Sequence, residues 1–307
     1  MLAVTLTAVT RGDACEPLRG PLGVPTALVL SGGGSKGAWE AGAAIALIEG
    51  GLPVRLAAGS SAGALNAAML ADGRLERLSA LWRSVRREQV YALRPGLLFA
   101  GLLPGWLTLL ALDASGSLLD PAPLRELIEG AIDLERVRAS ARRLLVVTTD
   151  LAARAPRTFD NATVTVDALM AAAAVPGAFP PVVVNGTLLV DGGLTGRAPV
   201  LEALAAEPSV GRAIVLLSYA ADERGEPPTR LRRTLEQAFE MAMVHQIRRD
   251  VELARFKHPD VDVQLLVPSA ALGLRPLDFE AAAIAAALER GRADAVGCLE
   301  TWGIGVR

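Results

Sequence analysis

Two strand–turn–helix units set head to tail constrain this chain more than anything else in it. TALVL, Thr26 to Leu30, is a short apolar run that breaks at SGGGSKG; a helical pattern, KGAWEAGAAIALIEGG, follows and is ended by Gly50 and Gly51. VRLAAG then meets a second turn, SSAG, and a second helical pattern, ALNAAMLADG. Strand, small-residue turn and helix in this rhythm predict a parallel sheet covered by helices, with functional loops at the C-terminal ends of the strands.

Later segments extend the same reading. RLLVVTTD (143 to 150), RAIVLLSY (212 to 219) and VDVQLLVP (261 to 268) are short β-branched or leucine-rich runs bounded by polar residues or proline. PVVVNGTLLVDGG places Asn185-Gly186 between two apolar runs, a hairpin signal. Helical patterns cover about 229 to 256 and the C-terminal DFEAAAIAAALERGRADAVGCLE. The expected fold class is α/β, three αβα layers around a central, mostly parallel sheet. With 307 residues, 51% hydrophobic and only 4% aromatic, the chain can fill a core built from Ala, Leu and Val. One domain over 25–307 is expected, preceded by a loosely ordered segment 1–24.

A net charge of -2 provides no global basic field and argues against nucleic-acid binding. Cys15 and Cys298 stand near opposite ends of the chain, so no disulfide is expected, and no CxxC spacing suggests zinc. Without a secretory signal pattern at the start, these cysteines fit a reducing, cytoplasmic setting.

One segment departs from the pattern. PGLLFAGLLPGWLTLLAL, 95 to 112, carries no charge and reaches the length of about 18 residues at which a membrane span is considered, yet Pro104 and Gly105 interrupt it. Upstream, RLERLSALWRSVRRE spaces Arg74, Arg77, Arg83, Arg86 and Arg87 on a helix that also carries Leu75, Leu78, Leu81, Trp82 and Val85. Two readings stand: a lid or lipid-contact element at about 94–113, or two short core helices beside a solvated helix face.

The chemistry concentrates at the two turns. Gly32, Gly34 and Gly37 satisfy GxGxxG, but a dinucleotide fold needs an acidic residue at the end of the second strand, and that strand ends in Ser60 and Ser61. Gly59-Ser60-Ser61-Ala62-Gly63 instead satisfies G-x-S-x-G between a strand and a helix, the setting of an exposed nucleophile on a sharp turn. Neither histidine, His245 in the long helix or His258 before Pro259, stands at a strand end where it would serve as the base. Two carboxylates do: Asp150 in VVTTDL and Asp191 in LLVDGGL.

Taken together, SGGGSKGAWEAG, GSSAG, DALMAAAAVPGAFPPVVVNG and VDGG, in this order, resemble the patatin-like phospholipase family over about residues 27 to 200. The resemblance implies a Ser-Asp dyad without histidine: Ser61 as nucleophile and Asp191 as base. It further implies an oxyanion hole from the backbone of Gly32, Gly33 and Gly34, with Lys36, Gly37, Gly59, Gly63 and Gly192 in support. No cofactor or metal is implied. The expected function is a lipid acyl hydrolase of phospholipase A or lysophospholipase type, with a phospholipid or lysophospholipid substrate met at a membrane surface. A soluble carboxylesterase or thioesterase with the same dyad is the alternative, and a non-catalytic lipid- or nucleotide-binding relative the third. The sequence departs from the family at Ala172, where Ser is frequent, and at Arg197, where Asn is frequent; both positions bear on substrate geometry.

Overall fold

The computed structural model describes residues 15–94, 117–220 and 227–304. Along the chain run β1 (Thr26–Leu30), α1 (Gly37–Glu49), β2 (Val54–Gly59), α2 (Ala62–Asp72), α3 (Leu75–Ser84), β3 (Ala92–Leu93), β4 (Leu119–Asp120), α4 (Ala122–Ala131) and α5 (Leu134–Ala139). There follow β5 (Arg143–Asp150), β6 (Ala155–Asp160), α6 (Val166–Ala172), β7 (Val182–Val184), β8 (Thr187–Asp191), α7 (Val200–Ala206), β9 (Arg212–Leu216), α8 (Leu231–Lys257), β10 (Asp262–Leu266) and α9 (Ala281–Thr301). The uncharged run 95–112 lies outside the described residues.

The main sheet has the order β10-β9-β1-β2-β5-β8-β7, with β6 also paired to β5. β10, β9, β1, β2 and β5 pair in parallel, whereas β6 and β8 pair antiparallel with β5, and β7 antiparallel with β8. Alternation along the strands builds the three layers, since successive side chains leave on opposite faces. Leu28, Leu30, Ala57, Leu144 and Val146 pack under α1, α2 and α9. Ala27, Val29, Ala58, Leu145 and Val147 meet α7 and α8 on the other face. Gly42 and Gly291 let α1 and α9 pack backbone against backbone, and Trp39 Nε1 donates to Asp294 Oδ2 at 2.8 Å across that contact.

β5 acts as the ruler that unites the two halves of the site. Gly59, at the end of β2, pairs with Val146, and Asp191, at the end of β8, pairs with Thr148. Residues far apart in sequence thus end two positions apart along one strand, roughly 7 Å.

The cysteines require a correction. Cys15 and Cys298 form a disulfide, their Cα atoms 5.7 Å apart, because the N-terminal segment runs along the end of α9. Their distance in sequence therefore carries no argument for a reducing compartment. From Cys15 onward that segment is also tied down. Trp302 Nε1 donates to Glu16 O at 2.9 Å, Arg19 N–H to Asp262 Oδ2 at 2.9 Å, and Arg212 Nη2 to Pro21 O at 3.0 Å. Strand β9 stops at Leu216, earlier than the apolar run suggests, which leaves Ser218 and Tyr219 free to meet the Gly-rich turn. Among the described residues no helix is long and apolar enough to cross a membrane.

Candidate active site

Ser61 sits between β2 and α2 with φ 54° and ψ -138°, a left-handed backbone that a side-chain-bearing residue adopts only when its surroundings enforce it. The enforcement comes from glycines at points of close approach. A Cβ on Gly59 would strike the backbone of Gly63, and one on Gly63 would strike Leu30 O and Gly32 N. Gly32 itself has φ 75°, and a Cβ there would fall 2.6 Å from Ser60 O and 2.9 Å from Ser61 Cβ. Gly37 packs α1 against Ala62 and Trp82. The Gly-rich turn and the serine turn are therefore one continuous backbone surface.

Asp191 ends β8 and is buried. Its Oδ1 accepts the Gly193 N–H at 2.7 Å, while Oδ2 has no hydrogen-bond partner. Burial pushes its pKa above the usual aspartate value; the Arg197 charge, the Gly193 N–H and the neighbouring Ser61 hydroxyl pull the other way. Gly192 brings this turn against Val147 O and Ser60 Cβ, where a side chain would collide.

One stretch fixes the backbones of both Ser61 and Asp191. The Ser61 N–H donates to Ala172 O at 3.0 Å and the Asp191 N–H to Ala174 O at 3.0 Å. This is what AAAAVP contributes: carbonyls, which an Ala at 172 offers as well as a Ser. Ser60, the other serine of the turn, donates to Arg197 O at 2.5 Å and links the serine turn to the segment after Asp191.

Within the Gly-rich turn the three expected donors part company. Gly32 donates to Glu40 Oε1 at 2.9 Å and Oε2 at 3.1 Å, and Ser31 Oγ donates to the same Oε1 at 2.7 Å. The Gly32 N–H is thus committed to Glu40, and its glycine serves close approach. Gly33 and Gly34 open a short 3-10 turn whose first N–H groups lack intrahelical partners, and both residues line the cavity beside Ser61. Ala62, first residue of α2, lines it too and adds a helix N-terminus. The turn is braced by Ser218 Oγ donating to Gly32 O at 2.8 Å and by Ser35 N–H donating to Pro276 O at 2.9 Å. Lys36 is buried with its Nζ 3.6 Å from the centre of the Tyr219 ring, a cation–π contact that supports the turn from behind.

The competing residues lie elsewhere. Asp150 Oδ1 accepts the Ala152 and Ala153 N–H groups at 2.9 Å and so shapes the β5–β6 turn. His245 is exposed on α8, and His258 ends that helix. Glu40 carries no motif, and the signal that points to it is a charge in the middle of the buried run GAWEAGAAIAL.

A cavity of about 1070 Å³ opens in front of Ser61, walled by Leu65, Met69, Leu81, Trp82, Leu124 and Phe179. The amphipathic helix α3 thus turns Leu78, Trp82 and Val85 inward to core and cavity. Several of its arginines are engaged at the surface, Arg74 with Asp72 at 2.8 Å and Arg83 with Glu289. No cluster of metal-ligating side chains occurs among the described residues.

The arrangement can be set beside known proteins. VipD from Legionella pneumophila shares the fold at a TM-score of 0.50 and 15% identity, covering 97% of this chain and 72% of VipD. The type III effector ExoU gives 0.42 at 20% identity, over 93% of this chain and 54% of ExoU. No curated protein matches the sequence. The sequence model described as patatin-like phospholipase matches residues 28–204. That span takes in the Gly-rich turn, the serine turn and the Asp turn and exceeds half of the 307 residues, so the chain belongs to the patatin-like phospholipase family.

Proposed function

We propose that this protein is a lipid acyl hydrolase of phospholipase A or lysophospholipase type that works through Ser61 and Asp191. The observation that carries the reading is the pairing of a serine on a strained turn with a buried carboxylate whose Oδ2 is unpartnered, at the end of a large apolar cavity. Ser61 Oγ attacks the ester carbonyl carbon as Asp191 Oδ2 takes its proton. The C=O π pair moves to oxygen, and the N–H groups of Gly33, Gly34 and Ala62 meet the oxyanion. Collapse of the tetrahedral intermediate expels the alcohol, which takes the proton back from Asp191. Water, deprotonated by the same carboxylate, then attacks the acyl-enzyme carbonyl; the bond to Ser61 Oγ breaks, Oγ takes the proton back from Asp191, and the fatty acid leaves.

A carboxylate is a weak base for an alcohol, so the oxyanion donors supply much of the barrier reduction, each worth about 3 kcal/mol. The apolar walls suit an acyl chain. Around the mouth, Leu93 (56% exposed) and Leu118 (49% exposed) stand beside Leu277 and Phe239, an apolar rim suited to contact with a bilayer.

The test uses purified protein on phospholipid vesicles and on a soluble short-chain ester. Ser61→Ala should abolish both activities and fluorophosphonate labelling. Leu93→Glu with Leu118→Glu should reduce vesicle hydrolysis well beyond ester hydrolysis. Equal losses on the two substrates would favour a soluble esterase, and labelling that survives Ser61→Ala would defeat the dyad.

A further inference from the structure

Arg197 stands where family members often carry asparagine, and the catalytic cycle above makes no use of it. Its side chain is only 5% exposed, yet its Nε has no hydrogen-bond partner and its guanidinium forms no ion pair among the described residues. The buried carboxyls of Asp191 and Glu40 feel its charge without bonding to it, so what stands open is its set of N–H donors, which are costly to bury unfilled. The guanidinium lies across both functional turns. A Cβ on Gly33 would sit 3.6 Å from its Nη2, and one on Gly193 3.1 Å from its Cδ and 3.4 Å from its Nη1. Gly193 thus leaves room for the side chain to cross the Asp turn and reach the Gly-rich turn. Its backbone is held there by the Ser60 hydroxyl on Arg197 O, at 2.5 Å.

Arg197 lines the same cavity as Ser61, and it is the one buried charged side chain among the described residues of that lining; Arg87, Arg94, Glu240, Arg275, Asp278 and Glu280 stand nearer solvent. Backbone N–H groups already serve the transient oxyanion, so the unfilled donors of a cation in the cavity wall are open to a permanent anion that the substrate brings. A planar fork of N–H donors suits phosphate oxygens.

We propose that Arg197 is an anion subsite inside the catalytic cavity and takes a phosphate oxygen of the substrate, selecting phosphate-bearing lipid esters over neutral ones. The inference rests on the lipid-ester reading and names its substrate class.

Binding is read first, apart from turnover, in Ser61→Ala protein. Octyl phosphate should bind more tightly than octanol by about 10- to 100-fold, the scale of one or two charge-assisted hydrogen bonds. Adding Arg197→Gln should erase that preference, and Arg197→Lys, which keeps the charge without the fork, should retain part of it. Turnover is read second, on a lysophospholipid and the monoacylglycerol of the same chain, each at its pH plateau. The ratio of the two kcat/KM values should fall by a similar factor in Arg197→Gln. Equal binding of octyl phosphate and octanol to Ser61→Ala protein overturns the proposal, as does a preference that survives in folded Arg197→Gln. Failure of the hydrolase reading looks different: the wild type would turn over neither ester, or would do so no better than Ser61→Ala, whatever stands at 197.

Discussion

The Gly-rich turn leads into the helix that carries Glu40, and the Asp turn begins at Asp191; both carboxyls are buried beside Ser61 and both feel the Arg197 charge. Their hydrogen bonding is opposite. Glu40 accepts from Ser31 and Gly32 and so holds backbone, and burial raises its pKa to about 8 despite those bonds. Asp191 accepts one backbone N–H on Oδ1 and keeps Oδ2 open toward chemistry. Burial is common to both, and the unoccupied oxygen of Asp191 is what sets the proposed base apart from the brace.

The largest effect expected from this contrast is kinetic. Asp191→Asn should lower kcat/KM by about 10²- to 10⁴-fold, the usual range for a general base, whereas Glu40→Gln, whose amide oxygen still accepts the Gly32 N–H, should stay near wild type. Steady-state kinetics on a soluble ester decides it, and comparable losses in both variants would erase the distinction.

A smaller effect separates the two acids by pH. Activity needs Asp191 ionised, so its acid limb should lie above the ordinary aspartate range, on the side to which burial shifts it. Glu40 acts on stability. Its folded pKa of about 8 exceeds the ordinary glutamate value of 4.5, so between these limits the folded state binds more protons than the unfolded. Stability should therefore fall as pH rises from 4.5 to 8, and Glu40→Gln should flatten that slope in thermal melts. A slope unchanged by Glu40→Gln would mean that Glu40 is charged in the fold. The smallest effect belongs to Asp150→Asn, which alters only a turn and should leave the pH–rate profile in place; a displaced acid limb would transfer the base role to it.

Much of this was legible because it is local. The turns at 31–37 and 59–63 and the hairpin ending in Asp191 are written in contiguous residues, and each strand–turn–helix boundary follows from small residues at fixed offsets. What escaped depends on residues that meet only after folding. The Ala172 and Ala174 carbonyls carry no side-chain signature, so nothing in AAAAVP announces that the backbones of both Ser61 and Asp191 hang from it. The Gly32 N–H looked like an oxyanion donor until Glu40, eight positions on, was found holding it. Ser60 and Arg197 are joined across 137 residues. The cysteines failed for the same reason: separation along the chain says nothing when the sheet returns both ends to one side.

That pair closes 283 residues of backbone into a ring. Seen as topology, everything from Cys15 to Cys298, Ser61 and Asp191 included, lies on a circle instead of a thread. A single proteolytic nick anywhere on the circle opens it without releasing a fragment, so the cut protein remains one covalent molecule until its disulfide is reduced. In the chain-entropy account, a ring of this size also removes about 5 to 6 kcal/mol of freedom from the unfolded ensemble.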